Sequence, residues 1–128
     1  MIDPKQFEKV FIEYARQTFG KNIPENEVLA IDGKTIKRSE YAPEGEDKKP
    51  HKAAHVVSAW SHSLGVCFGQ VKTEEKSNEI TAIPELLDLL YVKGMIVTID
   101  AMGCQKKITD KITEKKADYL ISLKGNQK

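Results

Sequence analysis

The chain has 128 residues, enough for one domain whose core needs neither metal nor disulfide staples. Lys and Arg number 20 against 19 Asp and Glu, a formal net charge of +1, so any nucleic-acid contact must come from local clustering and not from overall basicity. Two cysteines, Cys67 and Cys104, make no disulfide framework, and no signal peptide or membrane-length apolar run is present, which predicts a reducing cytoplasmic setting with both thiols buried as small hydrophobes.

Asp3-Pro4-Lys5-Gln6 has the form of a helix start, with Asp as N-cap and Pro at the first helical position. Phe7, Val10, Phe11, Tyr14 and Thr18 recur at helical spacing before Gly20, which predicts an amphipathic helix docking on something apolar through that stripe. Lys21 to Glu27 is the connector, so residues 1–24 form an N-terminal helix and connector and residues 25–128 the core. Val28 to Ile31 is a short apolar run closed by Asp32 and Gly33, the pattern of a strand buried on both faces. Ser39 to Lys52 carries Pro, Gly and charges with almost no apolar residue and reads as a mobile surface loop.

Ala53 to Ser61 and Gly65 to Thr73 are β-rich runs joined by a hairpin turn at Ser61-His62-Ser63-Leu64-Gly65. Ser77 can cap a helix reaching about Tyr91, with Ile80, Ile83, Leu86, Leu87 and Leu90 on one stripe and Pro84 marking a kink or restart. Met95 to Asp100 is the next strand. Gly103 to Lys116 is a helix with Ile108 and Ile112 inward and Lys106, Lys107, Lys111, Lys115 and Lys116 outward, and Asp118 to Leu123 a last strand. A three-strand antiparallel meander followed by β-α-β crossovers predicts an α/β fold: a mixed sheet flanked by helices, its first strand near the middle, as in a ribonuclease H-like core.

Two of these strands end alike, in Asp32-Gly33 and in Asp100 followed closely by Gly103. If the strands are neighbours, the two carboxylates share a sheet edge, and a divalent cation relieves their repulsion. Hard oxygen donors with no His/Cys set beside them point to Mg²⁺ or Mn²⁺. The other reading of the residues is that each Asp ends its strand and caps the following turn. Glu79 falls on the apolar stripe of its helix, facing the sheet, and is either a third metal ligand or a first-turn Glu favoured by the helix dipole.

Gly33-Lys34-Thr35 lacks the preceding Gly of a phosphate-binding loop, since Val28 stands there. The spacing of His51, His55, His62 and Cys67 matches no common zinc site, so solvated or strand-satisfied histidines are expected. Lys34, Lys37 and Arg38, with Lys48, Lys49 and Lys52, follow Asp32, and Lys124 and Lys128 follow the last strand; placed there they can grip a DNA backbone, although Glu40, Glu44, Glu46 and Asp47 dilute the charge. Tyr41 and Trp60 offer rings for base stacking, with core packing the expectation for Trp60.

The segments Ala30-Ile31-Asp32-Gly33-Lys34-Thr35, His55 to Trp60, Glu75-Lys76-Ser77-Asn78-Glu79-Ile80, Val97 to Gln105 and Asp118 to Gln127 together resemble the DDE transposases of bacterial insertion sequences, in particular the group of H-repeat-associated proteins. The resemblance implies a ribonuclease H-like catalytic core in which Asp32 and Asp100 are the first two catalytic acids. It also implies two Mg²⁺ ions: one activates water, and later the free 3′-hydroxyl, for in-line attack on a phosphodiester, while the other stabilises the leaving oxygen. DNA, as transposon ends and target, and a second copy of the chain are the implied partners, with no membrane and no small-molecule cofactor, in a bacterial cytoplasm beside the nucleoid. The family's third acid is a Glu on a helix after the strand near Leu123. This chain stops at Lys128 and lacks the family's further N-terminal sequence, so the expectation is a truncated fragment, inactive alone. The rival expectation is a non-enzymatic remnant that binds DNA or pairs with another chain.

Overall fold

A computed structural model describes residues 1–40, 52–73 and 79–125. The expected loop from Ser39 to Lys52 falls mostly outside them, as do Tyr41, Lys48, Lys49, His51, Lys128 and the Ser77 cap. In chain order the elements are α1 (Pro4–Phe19), β1 (Val28–Thr35), β2 (His55–Ser61), β3 (Val66–Thr73), α2 (Glu79–Leu89), β4 (Ile96–Ile99), α3 (Lys106–Glu114) and β5 (Asp118–Ile121). The strands form one sheet in the order β3-β2-β1-β4-β5. β1 lies at the centre, antiparallel to β2 and parallel to β4, and β4 is in turn parallel to β5. The meander-then-crossover order legible in the sequence is the one the chain adopts.

Strand alternation decides which residues reach the core. Leu29 and Ile31 of β1, Val57 and Ala59 of β2, and Val97 and Ile99 of β4 are all buried. Over this face lie the helices: Ile12 of α1 and Leu90, just past α2, both come against Gly69 of β3, where an added Cβ would sit 3.0 Å from Ile12 Cγ1 and 3.1 Å from Leu90 Cδ2. Ile108 and Ile112 of α3 join the same core, and Lys111 Nζ binds Asp88 Oδ1 at 2.8 Å to tie α3 to α2. On the opposite face Ala30, Trp60, Cys67, Thr98 and Leu120 fall in one row across the sheet.

Several expectations are corrected here. The α1 stripe of Phe7, Val10, Phe11, Tyr14 and Thr18 is exposed, and the helix docks by Ile12 and Ala15 instead. Close approach to Gly69 admits a compact stripe and leaves no depth for aromatic rings. Trp60 is 48% exposed because it alternates outward between buried Ala59 and Ser61. Ile80 is exposed, Cys67 and Cys104 are only half-buried, and α2 runs through Pro84 without a restart. The expected helix from Gly103 divides into a 3-10 turn, Ala101–Gly103, and α3. Lys111, expected outward, is partly covered by its ion pair.

The cap of α1 is as its sequence predicts: Asp3 Oδ1 accepts from Lys5 N at 2.8 Å and Gln6 N at 3.3 Å. The hairpin turn after β2 is held from below by Glu27, buried at 2% exposure, which accepts from Ser61 Oγ at 2.7 Å, from Ser63 N at 3.0 Å and from the Ser63 hydroxyl. Among the described residues no helix is long and apolar enough to cross a membrane.

Candidate functional site

β1, β4 and β5 run parallel, so their carboxyl ends share one edge of the sheet, and α2 begins at that same edge. The β1–β4 register pairs Ile31 with Ile99. The next residues, Asp32 and Asp100, are both exposed, with β1 and β4 lying about 5 Å apart. Asp100 directly follows β4, whereas β1 does not end at Asp32 as expected, because pairing with β2 carries it on to Thr35. Both aspartates line one tight recess, completed by Ile31, Gly33, Val57, Glu79, Ile83 and Ile99. Asp100 Oδ1 accepts from Met102 N at 3.0 Å and so caps the 3-10 turn; the Asp32 side chain has no hydrogen bond among the described residues. The turn-capping reading thus describes one oxygen of Asp100 and does not describe Asp32.

Glu79, at the first position of α2, is buried at 8% exposure. Its Oε1 lies 2.6 Å from His55 Nε2, and Thr35 Oγ1 lies 2.9 Å from His55 Nδ1. A carboxylate only accepts, so Nε2–H donates to Glu79, and in a neutral ring Nδ1 is left to accept from the Thr35 hydroxyl. Gly33 makes room for this arrangement: an added Cβ would fall on the Glu79 carboxylate and lie 2.8 Å from His55 Nε2. His55 was legible only as a strand-satisfied histidine, and Thr35 not at all. The one signal that finds them is the β1–β2 register, which sets Thr35 opposite His55.

Among the described residues no three His, Cys, Asp or Glu side chains converge tightly enough to hold an ion alone. A pair of carboxylates with their other coordination positions left to solvent and phosphate suits Mg²⁺ or Mn²⁺, which commonly bind through one or two carboxylates. The donor set of Asp32 and Asp100 therefore fits such a cation. Lys34, near the end of β1, and Lys37 and Arg38 beyond it are exposed, and Lys124 follows β5 on the same edge. His62 is exposed in the hairpin turn, away from this cluster.

The family model described as "Transposase DDE domain" matches residues 23–128. The chain belongs to that family. It is 58% identical over 127 residues to the "Putative transposase YncI" of Escherichia coli K12, covering 98% of this chain and 48% of YncI. It is also 47% identical over 127 residues to the "H repeat-associated putative transposase YhhI" of the same strain, covering 98% of this chain and 32% of YhhI. The chain thus spans less than half the length of either relative. In fold it is similar to the piggyBac transposase of a synaptic complex with hairpin DNA, with TM-score 0.56 and 14% identity over 99% of this chain and 30% of that one. The Mos1 transposase of a paired-end complex follows at TM-score 0.51 and 13% identity, covering 94% of this chain and 43% of that one. This member of the transposase DDE domain family has the ribonuclease H-like mixed sheet that its order of elements predicts.

Proposed function

We propose that this chain is catalytic-core sequence of an insertion-sequence transposase, in which Asp32 and Asp100 hold a divalent cation for cleavage and strand transfer at DNA phosphodiesters. The observation that supports the reading is the register of β1 on β4, which sets two exposed aspartates on neighbouring strands, both lining one recess at the sheet edge. When bound, Mg²⁺ or Mn²⁺ there polarises a phosphoryl oxygen and makes water a better nucleophile at neutral pH. Asp32 and Asp100 would supply the negative charge that retains the cation. Lys34, Lys37, Arg38 and Lys124 flank the edge with positive charge that suits a DNA backbone. Residues 25–128 are the catalytic unit in this reading, with α1 as an accessory element, and two ions, transposon-end and target DNA, and a second copy of the chain complete the active assembly.

Calorimetric titration with Mn²⁺ tests the proposal without requiring turnover. The wild-type chain is expected to bind, and Asp32→Asn and Asp100→Asn are each expected to bind at least about tenfold more weakly, because each removes a ligand charge. Nicking of supercoiled DNA that needs Mn²⁺ and disappears in Asp32→Asn supports the enzymatic reading. Equal Mn²⁺ affinity in all three proteins, with DNA retained independently of metal, overturns it.

A further inference from the structure

The hydrogen-bonded chain Thr35–His55–Glu79 is built from three elements and ends at the recess that holds Asp32 and Asp100. Surface packing has no need of it, since the His55 side chain is 3% exposed and that of Glu79 10%. A buried histidine and glutamate are costly to desolvate and are kept only where each finds partners. Glu79 finds one, through Oε1. Among the described residues its carboxylate has no other, yet no fully enclosed side-chain oxygen or nitrogen lacks a partner. The second oxygen, Oε2, therefore still reaches solvent, and the recess is what Glu79 lines. Gly33 adds the independent observation: the backbone beside Asp32 is stripped of its side chain where the Glu79 carboxylate presses against it.

We propose that His55 and Thr35 are positioning residues that fix the Glu79 carboxylate at the wall of the recess, so that a cation held by Asp32 and Asp100 is drawn by a third negative charge. The inference rests on the two-aspartate reading above and goes beyond it. Glu79 acts as a neighbouring charge and not as a ligand, because the three acids do not converge into a set that could hold an ion. His55 orients it from the far side: Nε2–H takes one carboxylate oxygen, which turns the other away from the ring, and the Thr35 hydroxyl fixes the ring's rotation and tautomer. Partners of this kind behind a metal site change affinity by about 10- to 100-fold when removed.

The test is Mn²⁺ affinity of the full chain, read by calorimetry and by loss of the free Mn²⁺ paramagnetic resonance signal. Expected are a loss of about tenfold in His55→Ala and a similar loss in Glu79→Gln, with the double variant no weaker than the weaker single one, as for groups acting in series. His55→Gln, whose amide nitrogen can occupy the place of Nε2, restores most of the loss, which a merely structural role would not require. Thr35→Val removes only the terminal hydroxyl at an exposed strand end, so it keeps the test open if His55→Ala does not fold; it weakens binding in the same direction, and Thr35→Ser restores it. Wild-type affinity in folded His55→Ala or in Glu79→Gln, while Asp32→Asn loses binding, overturns the proposal and leaves the two-aspartate reading standing. Equal binding by the wild type and Asp32→Asn removes both.

Discussion

A carboxylate withdrawn from water must recover its solvation from donors, and Glu27 does so from the turn it clamps. Burial alone would raise its pKa; hydrogen bonds from the Ser63 and Ser61 hydroxyls and from the backbone of Ser63 and His62 outweigh burial and hold it below the usual carboxylate value. A group lowered on folding stabilises the fold above its unfolded value, about 4.3, and loses that contribution as the pH falls through the folded value. Glu27→Gln is therefore expected to cost about 1–3 kcal/mol near neutral pH in urea melts. The difference from wild type should narrow as both are melted towards about pH 3, and a gap independent of pH would place the loss elsewhere. Gly33 gives a second expectation at this scale. Gly33→Ala should cost about 1–3 kcal/mol by overpacking, and less in a Glu79→Ala background, because the obstacle is that carboxylate.

Among the elements, α1 and α2 separate what periodicity can and cannot reveal. Leu86 and Leu87 are fully buried, and either changed to Ala is expected to cost about 2–5 kcal/mol by thermal or urea denaturation. Phe7→Ala and Tyr14→Ala, on the exposed side of α1, should stay within about 0.5 kcal/mol of wild type. Helical spacing identifies both helices and the inward Ile108 and Ile112 of α3. It misplaces the docking face of α1, because apolar residues lie on more than one side of that helix and the choice between them is made by the shape of the receiving sheet at Gly69. Strand order, the hairpin and the Asp100 terminus are legible because each rests on local chemistry: alternation, turn residues, a carboxylate after a β-branched run. The end of β1 is not, since pairing with β2 carries that strand past Asp32 to Thr35. Trp60 is misplaced for want of a known register, since in strand β2 a single step of parity moves a ring from core to solvent. The His55–Glu79 bond is invisible for the same reason; its two residues belong to different elements and meet only when β2 is aligned on β1.

At the scale of the whole molecule, the sheet edge collects residues from β1, β2, α2 and β4. That concentration makes its charge testable as a unit. If Lys34, Lys37 and Arg38 meet DNA phosphates, changing each to Ala should weaken binding to all sequences alike, and the slope of log affinity against log salt should drop by about one for each phosphate no longer neutralised. Unaltered slopes in fluorescence-anisotropy titrations would assign those side chains to solvent alone.

The outermost strand has a different consequence. Among the described residues β5 terminates the strand order, and Tyr119 and Leu120, with Leu123 beyond it, are exposed at 48%, 68% and 76%. An unprotected strand of this kind recruits other chains laterally, and natural proteins guard against it with a lysine or a proline. Concentrated samples should therefore scatter light through intermolecular β-pairing. Replacing Leu120 with Lys should raise the concentration at which that begins, and would do so while leaving both aspartates in place.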